Sequence, residues 1–242
     1  MLLYLSSNTR PDICFSVSQV ARFTHSPKQS HATAVKTIVC YLSGTIDKGT
    51  IIRLPSIYGL TCFPDSDFAG LYQRDPDDYP SSARSRSGYL IKFCDCSLLW
   101  KSQLQATIAL STSEAEYYSL SQSMRALLPI RSLLLEFFKI VKAPAPFDSF
   151  SNDIATTVYV DNTSALALAR DQQVTSRTRH YHCRYHFFWS HVKCDGRDGS
   201  SSSNCFLISL EYIATDLQDG DYLTKGLLRI PFEKNRFRVQ GW

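Results

Sequence analysis

Four acidic residues stand where solubility alone does not require them: Asp65 in CFPDSDFAG, Glu116 in STSEAEY, Asp161 in TVYVDN and Asp221 in LQDGDYLTK. Asp65 follows an apolar run whose period-two alternation sends Phe63, Asp65 and Asp67 to one face of a strand and Cys62, Pro64 and Ser66 to the other. On a helix, Glu116 falls near the middle of the apolar stripe and Glu114 falls away from it. A carboxylate on a core-facing stripe needs a partner. Asp161 directly follows a β-branched run and precedes a helix, the strand-end position at which α/β sheets gather their sites. Each acid also has an ordinary reading: a solvated strand end for Asp65, a helix cap for Asp161, a favourable dipole position for Asp221. Ser113-x-x-Glu116 and Ser111-x-x-Glu114 both have the form of a capping box, and only one can mark the helix start. The stripe assigns Glu114 to solvent and Glu116 to chemistry.

Together these acids have the donor chemistry of a box for hard divalent cations. Oxygen ligands suit Mg²⁺, and two ions about 4 Å apart can activate water and stabilise the leaving oxygen in phosphodiester hydrolysis.

The elements that must position them follow from periodicity. The first fifty residues read as helical, with amphipathic stretches at 17–23 and 34–42. Segments 51–54, 60–63, 88–93 and 107–110 read as short strands, and 73–87 as a loop. A long helix is expected over 114–142, with Pro129 kinking or breaking it. A strand at 156–160, a helix at 163–170, a strand at 206–213 and a last helix at 221–228 complete the order. That order is a run of short strands, a long helix, then two strand–helix units, and the fold expected from it is α/β with a five-stranded mixed sheet and helices on both faces.

Composition bounds the rest. The chain has 242 residues, 44% hydrophobic and 20% charged, which is globular rather than disordered. A net charge of +4 leaves nucleic-acid binding to a local patch. Eight cysteines without a C-x-x-C pair read as reduced thiols, and no segment has the length of a membrane span. Lys101, Arg177, Arg179 and Arg184 are candidates to hold phosphates. His180, His182, His186 and His191 with Cys183 invite a zinc reading, but no complete ligand set is spaced for it, so packing roles are favoured.

The segments YLSSNTRPDICFSVS, YLSGTIDKG, DSDFAG, RSRSGYL, LLWKSQLQATIALSTSEAEYYSL, YVDNTSALALA, SRTRHYHCRYHFFWSHV and QDGDYLTKGL, in this order, resemble the ribonuclease H region of copia-type LTR retrotransposon polyproteins. The resemblance implies a ribonuclease H-like domain over 51–242, and over 1–50 the tail of a reverse transcriptase without its polymerase aspartates. It implies catalytic and metal-binding roles for Asp65, Glu116, Asp161 and Asp221, two Mg²⁺ ions with Mn²⁺ as a substitute, and binding roles for Lys101, Arg177 and Arg179. The implied activity is endonucleolytic cleavage of the RNA strand of RNA–DNA hybrids, inside the cell, in a cytoplasmic virus-like particle or the nucleus. The implied partners are the hybrid and the rest of the polyprotein, with no membrane and no small-molecule cofactor. The sequence departs from the family's pattern at Phe68, where Trp is usual, at Pro64, Pro129 and Gly220, and in the loop GRDGSSSSN. Those departures favour the alternative, a degenerate domain that binds hybrid or serves as a tether without cutting.

Overall fold

In a computed structural model of the chain, the described residues are 1–52, 58–72, 83–141, 147–151, 153–176, 178–181, 183–192 and 208–242. Three helices come first: α1 (Leu2–Asn8), α2 (Cys14–Ala21) and α3 (Gln29–Ser43). Strands β1 (Leu60–Asp67), β2 (Arg86–Phe93) and β3 (Cys96–Leu104) precede the long helix α4 (Thr112–Val141). Then follow β4 (Thr156–Val160), α5 (Thr163–Asp171), β5 (Ser209–Tyr212), α6 (Asp221–Thr224) and α7 (Arg229–Gln240).

The strands form one sheet in the order β3-β2-β1-β4-β5. β1 pairs antiparallel with β2 and β2 with β3, while β4 runs parallel to β1 and β5 to β4. This is the α/β mixed sheet with flanking helices of a ribonuclease H-like fold. β1 lies at its centre, which is why its side chains are buried on both faces. Cys62, Ile91, Val158 and Leu210 pack on one face against Tyr117, Leu120, Met124 and Leu127 of α4. Phe63, Leu90 and Trp100 face the other side, under Cys14 of α2, Tyr222 and Leu223 of α6, and Val239 of α7. Ile13, Val17 and Ile38 join α2 to α3.

Several expectations need correction. No strand forms at 107–110, and the third strand is Cys96–Leu104 instead. The β2–β3 hairpin closes on Cys94 and Asp95, both at positive φ (51° and 64°), as a two-residue turn whose twist matches its strands requires. Cysteine is not a usual residue there, so the turn gave no signal. Ile51 and Ile52 are not in a strand, and residues 53 and 54 lie outside the described residues. So does most of the expected 73–87 loop, and β2 begins at its end, at Arg86. Pro129 does not end α4. Pro129 and Arg125, whose carbonyl loses its helical partner, are both exposed, so water can serve that carbonyl. The last helix is shorter than expected, four residues, and the twelve-residue α7 follows it. Among the described residues no helix is long and apolar enough to cross a membrane.

Candidate active site

β1 and β4 are parallel neighbours, so their carboxyl ends lie side by side and carry Asp65 and Asp161 to the same end of the sheet. Their ladder stops at Cys62 opposite Val158. Leu60 donates to the carbonyl of Ala155, so its alternate neighbours in β1 face β4 as well, and the next donors are Cys62 and position 64. Position 64 is a proline and has none. Past that point Nε2 of the fully buried Gln218 donates to the carbonyls of Pro64 (3.0 Å) and Tyr159 (3.2 Å), filling the gap between the parted strands.

α4 delivers Glu116. Ser111 caps the helix: its Oγ accepts from Glu114 N–H (3.1 Å), and the Glu114 carboxylate accepts from Leu110 N–H (2.7 Å). Glu114 also lies 3.6 Å from His180, so it is the capping acid rather than a fully solvated one. Glu116 is thereby left for other work. Ser119, one turn further on, donates to the carbonyls of Asp65 (2.7 Å) and Gly88 (3.1 Å), fixing the start of α4 against β1 and β2. Asp161 is likewise not a cap, because Asn162 accepts from Ala165 N–H and caps α5 itself.

One oxygen from each of Asp65, Glu116 and Asp161 lies within 4.8 Å of the others. Asp65 is fully buried. Its Oδ2 accepts from Thr224 Oγ1, and its Oδ1 has no hydrogen-bond partner. Asp221 stands outside this triad, with Oδ1 2.6 Å from Nζ of Lys225. That ammonium is also 3.7 Å from Asp65 Oδ1. The turn bearing Gln218 and Asp221 approaches β1 so closely that a Cβ on Gly220 would lie 2.7 Å from Asp65 Cβ and 2.8 Å from the Phe63 carbonyl. Gly220 precedes α6 and meets the backbone of β1, so it is a packing requirement rather than a helix defect.

Burial pushes the Asp65 carboxyl up to about 7; Lys225 and Thr224 oppose the shift, Asp221 and Asp161 add to it. Burial, then Asp65 and Asp161, hold Glu116 well above the usual carboxylate range. Asp161 is raised by burial and by Asp221 against a hydrogen bond from Thr215. Burial works against the Lys225 ammonium, but Asp65 and Asp221 outweigh it and raise its pKa. Three crowded carboxylates with an unpartnered buried oxygen and no sulfur or nitrogen donor fit a hard divalent cation such as Mg²⁺ or Mn²⁺. The triad can hold one ion.

The other expected residues lie elsewhere. Lys101, on β3, and Arg179 are exposed and outside the triad, and Arg177 lies outside the described residues. Arg184 donates to Tyr185 Oη (2.9 Å). Among the described residues the histidines and Cys183 do not converge as a ligand set, and His182 lies outside them. Nδ1 of His186 instead lies 2.7 Å from Tyr117 Oη, which also accepts from Trp189 Nε1 (2.8 Å). Gln218, Thr224 and Lys225 are the residues that sequence reasoning passed over. The i, i+4 spacing of Asp221 and Lys225 was the available signal for the last of them.

No protein-family model matches the chain, and no solved structure matches it. It is similar to the retrovirus-related Pol polyproteins of transposons RE1 and RE2 of Arabidopsis thaliana, each 29% identical over 93% of the chain. It is 32% identical, over 96% of its length, to the retrovirus-related Pol polyprotein of transposon TNT 1-94 of Nicotiana tabacum. The chain spans only 13% of the RE1 and RE2 proteins and 15% of the TNT 1-94 protein.

Proposed function

The chain belongs to the retrovirus-related Pol polyproteins of copia-type transposons, and from that premise we propose that it is a metal-dependent endonuclease cutting the RNA strand of RNA–DNA hybrids. The observation that carries this reading is the convergence of Asp65, Glu116 and Asp161 around an unpartnered carboxylate oxygen at the carboxyl ends of two parallel strands. In the same reading residues 1–50 are the tail of a reverse transcriptase and residues 51–242 the nuclease.

A divalent cation held by these three residues supplies Lewis-acid activation of water and charge stabilisation at the departing oxygen. The chain's own residues prepare the place. Thr224 fixes one oxygen of Asp65 and leaves the other directed at its neighbours. Ser119 holds α4 to β1, so Glu116 cannot drift from Asp65. Lys225 holds Asp221 beside the triad. Burial of Asp65 excludes the water that would otherwise screen these charges. Lys101, Arg177 and Arg179 hold phosphates, and selectivity for RNA comes from reading 2′-hydroxyls along one strand.

Incubation with a hybrid labelled on the RNA strand tests the reading. RNA-strand cleavage is expected with Mg²⁺ and none with EDTA. Hybrid binding without cleavage at any divalent ion concentration would instead make the chain a non-catalytic binding domain.

A further inference from the structure

The expectation of two metal ions meets an obstacle in the residue that closes α6. Lys225 lies four residues after Asp221, and its Nζ sits 2.6 Å from Asp221 Oδ1 and 3.7 Å from Asp65 Oδ1. It occupies the space between the triad and the fourth acid, where a second ion would have to bridge them. The chain leading to it is anchored. Thr224, the residue before it, is fully buried and bonded to Asp65. The turn before α6 is held against β1 by Gln218 and by the close approach of Gly220.

Charge alone does not set the number of ions: with all four carboxylates ionised, one divalent ion and the ammonium leave one net negative charge, and a second divalent ion beside the ammonium would leave one net positive charge. A second divalent ion would have to displace Lys225 from Asp221 or sit against its positive charge. The oxygen of Asp65 left without a hydrogen bond is the one that lies 3.7 Å from the ammonium.

Resting on the nuclease reading above, we propose that Lys225 is a tethered second cation. The site takes one divalent ion, on Asp65, Glu116 and Asp161, and Lys225 occupies the second ion's place by holding Asp221. Lys225 is thus a positioning residue that sets metal stoichiometry.

The test is equilibrium dialysis of Mn²⁺ against the full chain, with bound ion counted per chain. The wild-type protein is expected to bind one ion, Lys225→Arg one, and Lys225→Met two, because Asp221 is released to the second place. Asp221→Asn, which removes the ammonium's partner outside the triad and leaves the triad whole, is expected to stay at one. Two ions on the wild-type chain, falling to one in Asp221→Asn, would overturn the inference and leave the nuclease reading standing. One ion on a folded Lys225→Met would also overturn it. No bound ion on the wild-type chain would overturn the carboxylate reading itself.

Discussion

Gln218 supplies the strand donor that Pro64 lacks: its side-chain amide donates to the Tyr159 carbonyl at the position where a backbone N–H of residue 64 would have done so. The proline that counts as a flaw in a central strand therefore opens β1 from β4 just before the two acids. A buried amide then holds the opening at a fixed width. Gln218→Leu should leave the carbonyls of Pro64 and Tyr159 unsatisfied and cost about 1–3 kcal/mol. Pro64→Ala restores a backbone donor, so the cost of Gln218→Leu should shrink in the Pro64→Ala background. Urea denaturation of the four proteins in a double-mutant cycle measures that coupling; strictly additive costs would show that the two residues act independently.

The two glutamates at the start of α4 should separate cleanly. Ser111→Ala removes the acceptor for Glu114 N–H and should cost about 1 kcal/mol without changing metal affinity. Glu116→Gln should abolish metal binding while thermal stability of the metal-free chain holds or rises, since a crowded buried charge is gone. Calorimetric titration with Mn²⁺ alongside melting curves checks both. Loss of metal binding in Ser111→Ala would mean that the cap and the site are not separable.

Stability of the metal-free chain should fall as pH rises across the Asp65 titration. The folded carboxyl holds its proton up to about 7, against an ordinary value of 3.8, so between those values the folded chain carries a proton that the unfolded chain has released. Stability from this group is therefore full below the lower value and lost as pH climbs to the upper one. Added Mg²⁺ acts oppositely, because the ion takes the place of the protons: the melting shift it causes should be small near about pH 5 and grow through pH 7. A Mg²⁺ shift independent of pH would contradict the assignment of Asp65 as a ligand.

The amino-terminal helices have contacts whose loss should be measurable. Cys14 packs with Leu90 and Trp100, Trp100 Nε1 donates to the Ser6 carbonyl (2.6 Å), and Arg86 donates to Ser18 (2.6 Å) and Gln19 (2.9 Å). A chain beginning at Thr50 would expose that face of the sheet, so its urea midpoint should drop well below that of the full chain. The triad does not draw on residues 1–49, and Mn²⁺ binding at low denaturant should survive. An unchanged midpoint would mean that the helices only rest on the sheet.

The long helix was legible because its apolar residues recur every three or four, and the inner strands because they are short β-branched or aromatic runs, β1 and β2 being buried on both faces. Asp65, Glu116 and Asp161 were legible because each breaks an apolar pattern. β3 was not, since it is an edge strand with polar Lys101, Ser102 and Gln103, entered through an atypical Cys94–Asp95 turn. α7 was hidden by its mixed polarity and by Pro231 near its start, a position that a helix tolerates in its first turn. The role of Lys225 was out of reach for a different reason. Its meaning depends on a contact with Asp65 across 160 positions of sequence, and only the i, i+4 pairing with Asp221 is local.

The most direct test of the central claim compares the wild-type chain with Asp161→Asn on a hybrid labelled separately on its RNA and DNA strands. With Mg²⁺ the wild-type protein should cut the RNA strand alone, and Asp161→Asn should lose that cleavage by at least about a hundredfold, the scale of one removed stabilising group at a reacting centre, while its circular dichroism is unchanged. Cleavage by Asp161→Asn at the wild-type rate would contradict the account.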